Sequence, residues 1–296
     1  MSNIYKILLC GARGFIGRQV AAALRAQGHE VVPAVRTATP GAGCVVDFAR
    51  FTRAEDWRAA LAGVDAVVNA VGVLRERATQ PMQALHADAP IALFEACAAQ
   101  GIRRVLHISA LGIDASPSAY ASTKRQAEEA LWRLNRERRL KGTVLRPSIV
   151  FGPGGASTAL LVHLAHWPVL PLPRAVKRCL VQPVAVQDLA QVCVRLLGLE
   201  QPPELVNAVG PQALSLGELL ASLRQQLGRT PARTVTLPEC LTQFSARVGD
   251  GLPWQPWGRE ALQLLQAPNV AAAQPFASLL GHPALPPDRL MEALQA

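Results

Sequence analysis

The chain has 296 residues, half of them hydrophobic, with 30 Lys and Arg against 21 Asp and Glu, a formal net charge of +9. That length exceeds one average domain and supplies a sizeable core, so one large or two coupled domains are expected. The positive excess suits anionic ligands. No zinc-finger or RNA-binding signature accompanies it, and its densest run, 133–141, reads as a solvated helix end, so nucleic acid is not an expected partner.

Ile7, Leu8 and Leu9 form a short apolar run, the mark of a buried parallel strand. Gly11, Gly14 and Gly17 follow at three-residue spacing, and helical periodicity begins at Phe15, Ile16, Val20 and Leu24. Strand, glycine turn and helix together build a diphosphate site. Gly11 turns the chain sharply, Gly14 lets the backbone approach the ligand, and Gly17 lets the helix pack on the strand. The N–H groups of the first helical turn, at Phe15 and Ile16, then face the pyrophosphate.

Residues 30–35 read as a second strand. Where it ends, NAD-preferring folds place an acid against the ribose 2′-hydroxyl. This chain has Arg36 there and Arg13 inside the glycine loop. Two guanidinium groups suit a 2′-phosphate, which favours NADP, with NAD still possible. The alternative is that Arg36 stacks on adenine or points to water. Residues 45–48 read as a third strand ending in Asp47, which either accepts the adenine amino group or is an exposed loop acid. Phe48 beside it is a further nucleotide candidate. Residues 64–72 read as the fourth strand, closing on Asn69-Ala70-Val71-Gly72 beside the nucleotide.

Apolar residues recur at helical spacing over 91–100; 104–109 reads as the fifth strand, 122–134 as a helix and 143–145 as a sixth strand. This alternation implies an α/β fold: a doubly wound parallel Rossmann sheet with a smaller, mostly helical C-terminal region. The division expected is 1–152 for the dinucleotide, with segments returning near 180–210, and 153–296 for the substrate. The returning pieces are a helix over 188–199 and a strand over 205–209. Ser215 and Glu218 form a capping box opening a helix through Leu227.

The six cysteines are far apart with no C-x-x-C pair, as expected of reduced, buried thiols in a cytoplasmic protein. Met1 to Lys6 runs straight into the first strand, leaving no room for a signal peptide. Residues 147–173 lack charge, yet Pro153, Pro168, Pro171, Pro173 and three glycines interrupt them, so no membrane-spanning helix is expected. His163 and His166 could share a helix face, but no third ligand stands nearby, so no metal site is expected.

Tyr120 and Lys124 stand four apart, a spacing a helix brings onto one face. A Lys ammonium near a phenol stabilises phenolate and lowers the Tyr pKa, and the same Lys can hold ribose hydroxyls. In order along the chain come 11–17, 69–72, Tyr120 with Lys124, Arg146-Pro147-Ser148-Ile149-Val150-Phe151-Gly152-Pro153, and 182–190. These motifs resemble the short-chain dehydrogenase/reductase superfamily, in its extended and atypical, epimerase/dehydratase-like branch, and cover roughly the first two-thirds of the chain.

The resemblance implies a general acid or base at Tyr120 and, at Lys124, a group that tunes it and binds the nicotinamide ribose. It implies a cofactor contact at Pro147. It also implies a hydroxyl after the fifth strand that orients the substrate oxygen. Ser109 is the nearest. Many members carry Ser one place later, where this chain has Ala110; either Ser109 acts from a shifted place, or the hydroxyl is missing and Ser116 or Ser118 substitutes. By the same analogy Arg174, Lys177 and Arg178 near the cleft would bind a substrate diphosphate, or form a basic surface loop. Residues 258–270 and 279–287 look like the tail of a narrower group that includes the Rossmann-fold accessory subunit of respiratory complex I and its bacterial relatives. The expectation is therefore an NADP-preferring oxidoreductase or nucleotide-sugar epimerase/reductase acting on a small-molecule substrate. The alternative is a nucleotide-holding accessory or assembly protein, with peripheral membrane or respiratory-complex association.

Overall fold

A computed structural model describes residues 4–37, 43–74, 76, 81–173, 179–251, 258–266 and 269–295. The chain divides into two compact units. The first comprises Met1–Ala110, Ser122–Arg146 and Leu189–Val206; the second comprises Leu111–Ala121, Pro147–Asp188 and Asn207–Ala296.

The first unit is built on alternating strands and helices. They are β1 (Lys6–Cys10), α1 (Phe15–Ala26), β2 (Glu30–Val35), β3 (Cys44–Val45), β4 (Ala66–Asn69), α2 (Ala89–Ala99), β5 (Arg104–Ile108), α3 (Ala119–Arg136) and β6 (Lys141–Pro147). With the strand Leu205–Ala208 they form a seven-stranded sheet in the order Leu205–Ala208, β6, β5, β4, β1, β2, β3. The five pairings among β1 to β6 are all parallel. This is the doubly wound order the alternation predicts, and it reverses direction between β1 and β4. Ligands of such sheets bind beyond the strand C-termini at that reversal.

β3 is shorter than the sequence predicts. Asp47 Oδ1 accepts the N–H of Ala49 at 3.0 Å, and its carbonyl takes the N–H groups of Arg50 and Phe51. That side-chain turn ends the strand. α3 begins earlier than predicted because Ser118 Oγ accepts the N–H of Ala121 at 3.1 Å, an N-cap bond.

The core of this unit includes Leu8, Val67, Val105 and Val144 from the strands, roofed by Trp57, Leu93 and Phe94. The strand residues come from near-continuous apolar runs, as a sheet covered on both faces requires. α3 lies close on β6 at Gly142, where a Cβ would stand 2.5 Å from Leu131 Cδ1. Asn135 clamps the two elements by accepting from Gly142 N–H and donating to its carbonyl, both at 2.8 Å.

Yet the inward face of α3 is not all apolar. Ala127 and Leu131 share it with Lys124 and Glu128, at 2% and 0% exposure. Glu128 is met by Arg146 of β6 in a two-pronged pair, 2.9 Å from Nε and 2.5 Å from Nη2. The guanidinium also lies 5.7 Å from the centre of the Trp132 ring.

The second unit has its own core, built around Phe151, Leu172, Leu219, Leu220 and Leu223. The helix Leu216–Gln226 opens with the predicted capping box: Ser215 Oγ takes the Glu218 N–H, and Glu218 Oε2 takes that of Ser215. His163 packs edge-on against Trp167, and among the described residues no cluster of His, Cys, Asp or Glu could hold a metal. All six cysteines are unbridged; Cys10, Cys97 and Cys193 are buried, and Cys240 is exposed. Among the described residues no helix is long and apolar enough to cross a membrane.

Glu128→Ala would strand the Arg146 guanidinium among buried groups. It should cost about 3–5 kcal/mol in urea denaturation, whereas Glu128→Leu with Arg146→Met should recover most of that. A single-variant loss below about 1 kcal/mol would show that the pair is solvated.

Candidate active site

β1 delivers the chain to Gly11, whose φ of +80° is open to glycine and strained for other residues. A Cβ there would meet the Ala70 carbonyl oxygen at 2.8 Å, just past the end of β4. Ala70 N–H bonds Cys10 O at 3.0 Å, so the two loops of the sheet reversal are locked side by side. A Cβ on Gly17 would fall 2.0 Å from Gly11 O, so α1 leans on the turn in a way only glycine permits.

Gly14 is the extended residue that starts α1, and it is exposed. No side chain caps the helix, no acid lies in its first turn, and its first backbone bond runs from Arg18 N–H to Gly14 O. The N–H groups of Phe15, Ile16 and Gly17 therefore precede the helical ladder, at the positive end of its dipole. A Cβ on Gly14 would find only Gly11 O within 4 Å, at 3.1 Å, so the space before these groups is open. The turn fits a dinucleotide pyrophosphate.

A polar cluster lies beneath the loop after β4. Lys124 donates from Nζ to Val71 O at 3.2 Å and to Ile108 O at 3.1 Å. Asn69, fully buried, accepts the Val71 N–H at 3.1 Å and contacts His107 Nδ1 at 3.2 Å. His86 Nε2 accepts the Val73 N–H at 2.9 Å, and its Nδ1 lies 3.3 Å from Thr123 Oγ1. Gly72 lies open above: a Cβ on it would sit 3.5 Å from Lys124 Nζ and 4.0 Å from His86 Nε2.

Burial dominates the electrostatics here. It lowers the Lys124 pKa to about 8, against a raising effect from Glu128. It drives His86 down to about 2, helped by the Lys124 charge, and holds His107 well below its ordinary value. Both imidazoles are therefore neutral at physiological pH, and Lys124 is cationic but close to titrating.

The remaining sequence candidates are distributed as follows. Arg13 and Arg36 are both exposed. Asp47 has one oxygen in the turn just described and the other 3.8 Å from Arg50 Nε. Phe48 is buried. So is Val46, just past the end of β3; Phe48 lies in the turn that follows, and its ring stands edge-on to Trp57 at 5.2 Å. Only its backbone is left to a nucleotide. Asn69 likewise serves from inside, by shaping the loop. Pro147 is buried at the end of β6, and its carbonyl accepts the Leu111 N–H.

Ser109 is buried, with its N–H on Leu145 O and its Oγ without a hydrogen-bond partner among the described residues. A buried hydroxyl in that state awaits a water or a ligand. Ser118 is the helix cap, and Ser116 Oγ accepts the Ser118 N–H at 3.4 Å. Tyr120 is half-buried in the first turn of α3, one turn before Lys124. Its backbone N–H donates to Glu260 Oε2 at 3.3 Å. Arg174, Lys177 and Arg178 lie outside the described residues. Sequence reasoning missed His86, Thr123, His107 and Glu260; a lone His amid the apolar run of 84–87 was the available signal for the first.

A family model describing the NAD dependent epimerase/dehydratase family matches residues 7–208. The chain belongs to that family. The match spans the glycine turn, the loop after β4 and the whole of α3, and ends before the tail at 258–287. Among curated proteins, the ceramide reductase of Caulobacter vibrioides (strain NA1000 / CB15N) is 26% identical over 182 residues, 60% of this chain and 54% of its own. A 3-diazoavenalumate denitrifying reductase of a Streptomyces species is 33% identical over 203 residues, 57% of this chain and 64% of its own. The chain thus spans less than two thirds of the length of either relative. Among solved structures, an NADPH-dependent quinone oxidoreductase of Escherichia coli complexed with NADPH superposes with a TM-score of 0.73, at 19% identity, over 97% of this chain and 99% of that one.

The depressed Lys124 pKa makes a prediction about stability. An unfolded lysine titrates near 10.5 and burial brings the native one down to about 8, so between these values the unfolded chain binds the extra proton. Stability from this group is lowest below pH 8 and rises as pH climbs through that window. Stability measured for wild type relative to Lys124→Met should therefore improve from pH 7 to pH 10. A flat difference would show that the ammonium is solvated.

Proposed function

We propose that the chain is an NADP-preferring reductase of the epimerase/dehydratase type, in which Tyr120 moves the proton and Lys124 tunes it. The observation that carries this reading is the Lys124 ammonium. It is buried, held by two backbone carbonyls, set under Gly72 and placed one helical turn from Tyr120. Burying a cation is costly. A Lys that served packing alone would be replaced by an apolar residue without loss, whereas a charge needed beside a phenol has no such substitute.

The glycine turn would hold the pyrophosphate through the N–H groups of Phe15 and Ile16. Arg13 and Arg36 would meet the 2′-phosphate. Two of the three Lys124 N–H groups are spent on Val71 O and Ile108 O, which leaves the third for a ribose hydroxyl. When bound, the nicotinamide supplies or takes up a hydride. Tyr120 Oη then gives the substrate oxygen its proton in reduction, and the Lys124 charge stabilises the phenolate left behind. Ser109 Oγ, buried and unsatisfied, would orient that oxygen. Two relatives named as reductases support reduction as the direction and a carbonyl or comparably polarised group as the substrate.

Titration calorimetry tests the nucleotide. Wild type should bind NADP more tightly than NAD, and Arg36→Ala should cost NADP about 1.5–3 kcal/mol while sparing NAD. Equal affinities in the wild type would end the preference. Turnover tests the chemistry. With NADPH and a panel of aldehydes and ketones, Tyr120→Phe should bind NADPH nearly as wild type does and lose roughly two to four orders of magnitude in rate. A near-wild-type rate would remove Tyr120 from the mechanism. Tight NADPH binding with no substrate anywhere in a broad panel would favour a nucleotide-holding role.

A further inference from the structure

His86 sits in a single wide helical turn, Ala84–Asp88, where Ala89 N–H reaches back five residues to Ala84 O. Pro90 explains the widening. It lacks the N–H that would bond the carbonyl four residues earlier, that of His86, and its ring excludes that carbonyl. Such turns recur at functional sites because they re-aim one side chain. Here the side chain is a fully buried imidazole.

Its hydrogen bonds fix its tautomer. Nε2 accepts the Val73 N–H, so it carries no proton; the ring proton is on Nδ1 and is given to Thr123 Oγ1. The ring stays neutral, since burial and the Lys124 charge oppose its protonation. It is therefore neither an acid nor a base for the reaction. Its two bonds do something else: they join the loop after β4 to α3, one residue before Lys124.

That loop carries Val71, whose carbonyl holds the ammonium. Apart from the Lys124 bond itself, the peptide run 71–73 is pinned by Asn69 at Val71 N–H and by His86 at Val73 N–H. Asn69 anchors it to the sheet, and His86 ties it to the lysine's own helix at Thr123, beside the bond that Lys124 itself makes to Val71 O. We propose that His86 is a positioning residue, a neutral strut that sets the spacing between the loop after β4 and Lys124 and so keeps the ammonium dry and aimed at the nucleotide. This rests on the reading of Lys124 given above. The charged and titratable groups about Lys124 are Tyr120, one turn before it, and Glu128 of its own helix, His86 of the wide turn and His107 of β5.

The test is the titration of Lys124 in the nucleotide-free protein, followed by NMR with labelled lysine, beside NADPH affinity by calorimetry. His86→Phe keeps a flat ring and removes both bonds. Water should then reach Nζ and the Lys124 titration should move up from about 8 toward its ordinary range, with NADPH bound roughly tenfold more weakly or worse. His86→Gln, which can both accept and donate, should restore most of each. Thr123→Val cuts only the second bond and should shift both readouts in the same direction by less; it also stands in if the Phe variant does not fold. A His86→Phe protein that melts earlier but keeps the wild-type Lys124 titration would make His86 a packing residue and overturn the inference. Failure of wild type to bind NADPH would instead overturn the functional reading, while the Lys124 titration still judges His86.

Discussion

Everything in the first unit depends on how closely α1 can approach the turn that precedes it. A single methyl on Gly17 would overlap the Gly11 carbonyl oxygen at 2.0 Å, and one on Gly11 would press on Ala70 O at 2.8 Å. These two contacts place the ends of β1 and β4 and the start of α1 within one small region. Because the sheet reverses direction there, no crossover helix covers it. The result is an uncapped, acid-free helix start facing open space. Its unmet N–H groups suit an anion.

The second constraint is the polar cluster under that region. Lys124, Asn69, His86, His107, Thr123 and Glu128 are all buried among apolar neighbours, in a unit of modest size. Such a network is costly unless its members satisfy one another. Most do: Lys124 with two carbonyls, Asn69 with Val71 and His107, His86 with Val73 and Thr123, Glu128 with Arg146. Among the described residues His107 Nε2 lacks a partner, and so does Ser109 Oγ two residues further along. Ser109 follows β5 directly, so its unsatisfied hydroxyl lies at the C-terminal edge of the sheet, where ligands of this fold bind.

How much of this was legible beforehand follows from which interactions are local. The glycine turn was readable because Gly11, Gly14 and Gly17 each answer a backbone demand of their own segment. The strands were readable as apolar runs, and the capping box at Ser215 needs only residues three apart. Errors appear where a side chain rewrites a boundary: Asp47 ends β3 early, and Ser118 starts α3 early. Phe48 was assigned to the nucleotide by its place beside Asp47, and its ring packs on Trp57 in the core. His86 needs more still. Its role depends on an i+5 turn imposed by Pro90 and on partners thirteen and thirty-seven residues away. Glu260 meets Tyr120 across 140 residues, a pairing no local pattern encodes.

The central claim is that the turn at Gly11–Gly17 and the Lys124 ammonium bind one dinucleotide. A crystal structure of the protein with NADPH tests it most directly. The account predicts pyrophosphate oxygens within hydrogen-bond distance, about 3 Å, of the Phe15 or Ile16 backbone N–H, and a nicotinamide ribose hydroxyl on Lys124 Nζ. A dinucleotide whose phosphates lie away from that helix start, or whose ribose leaves Lys124 bound only to Val71 and Ile108, would contradict it.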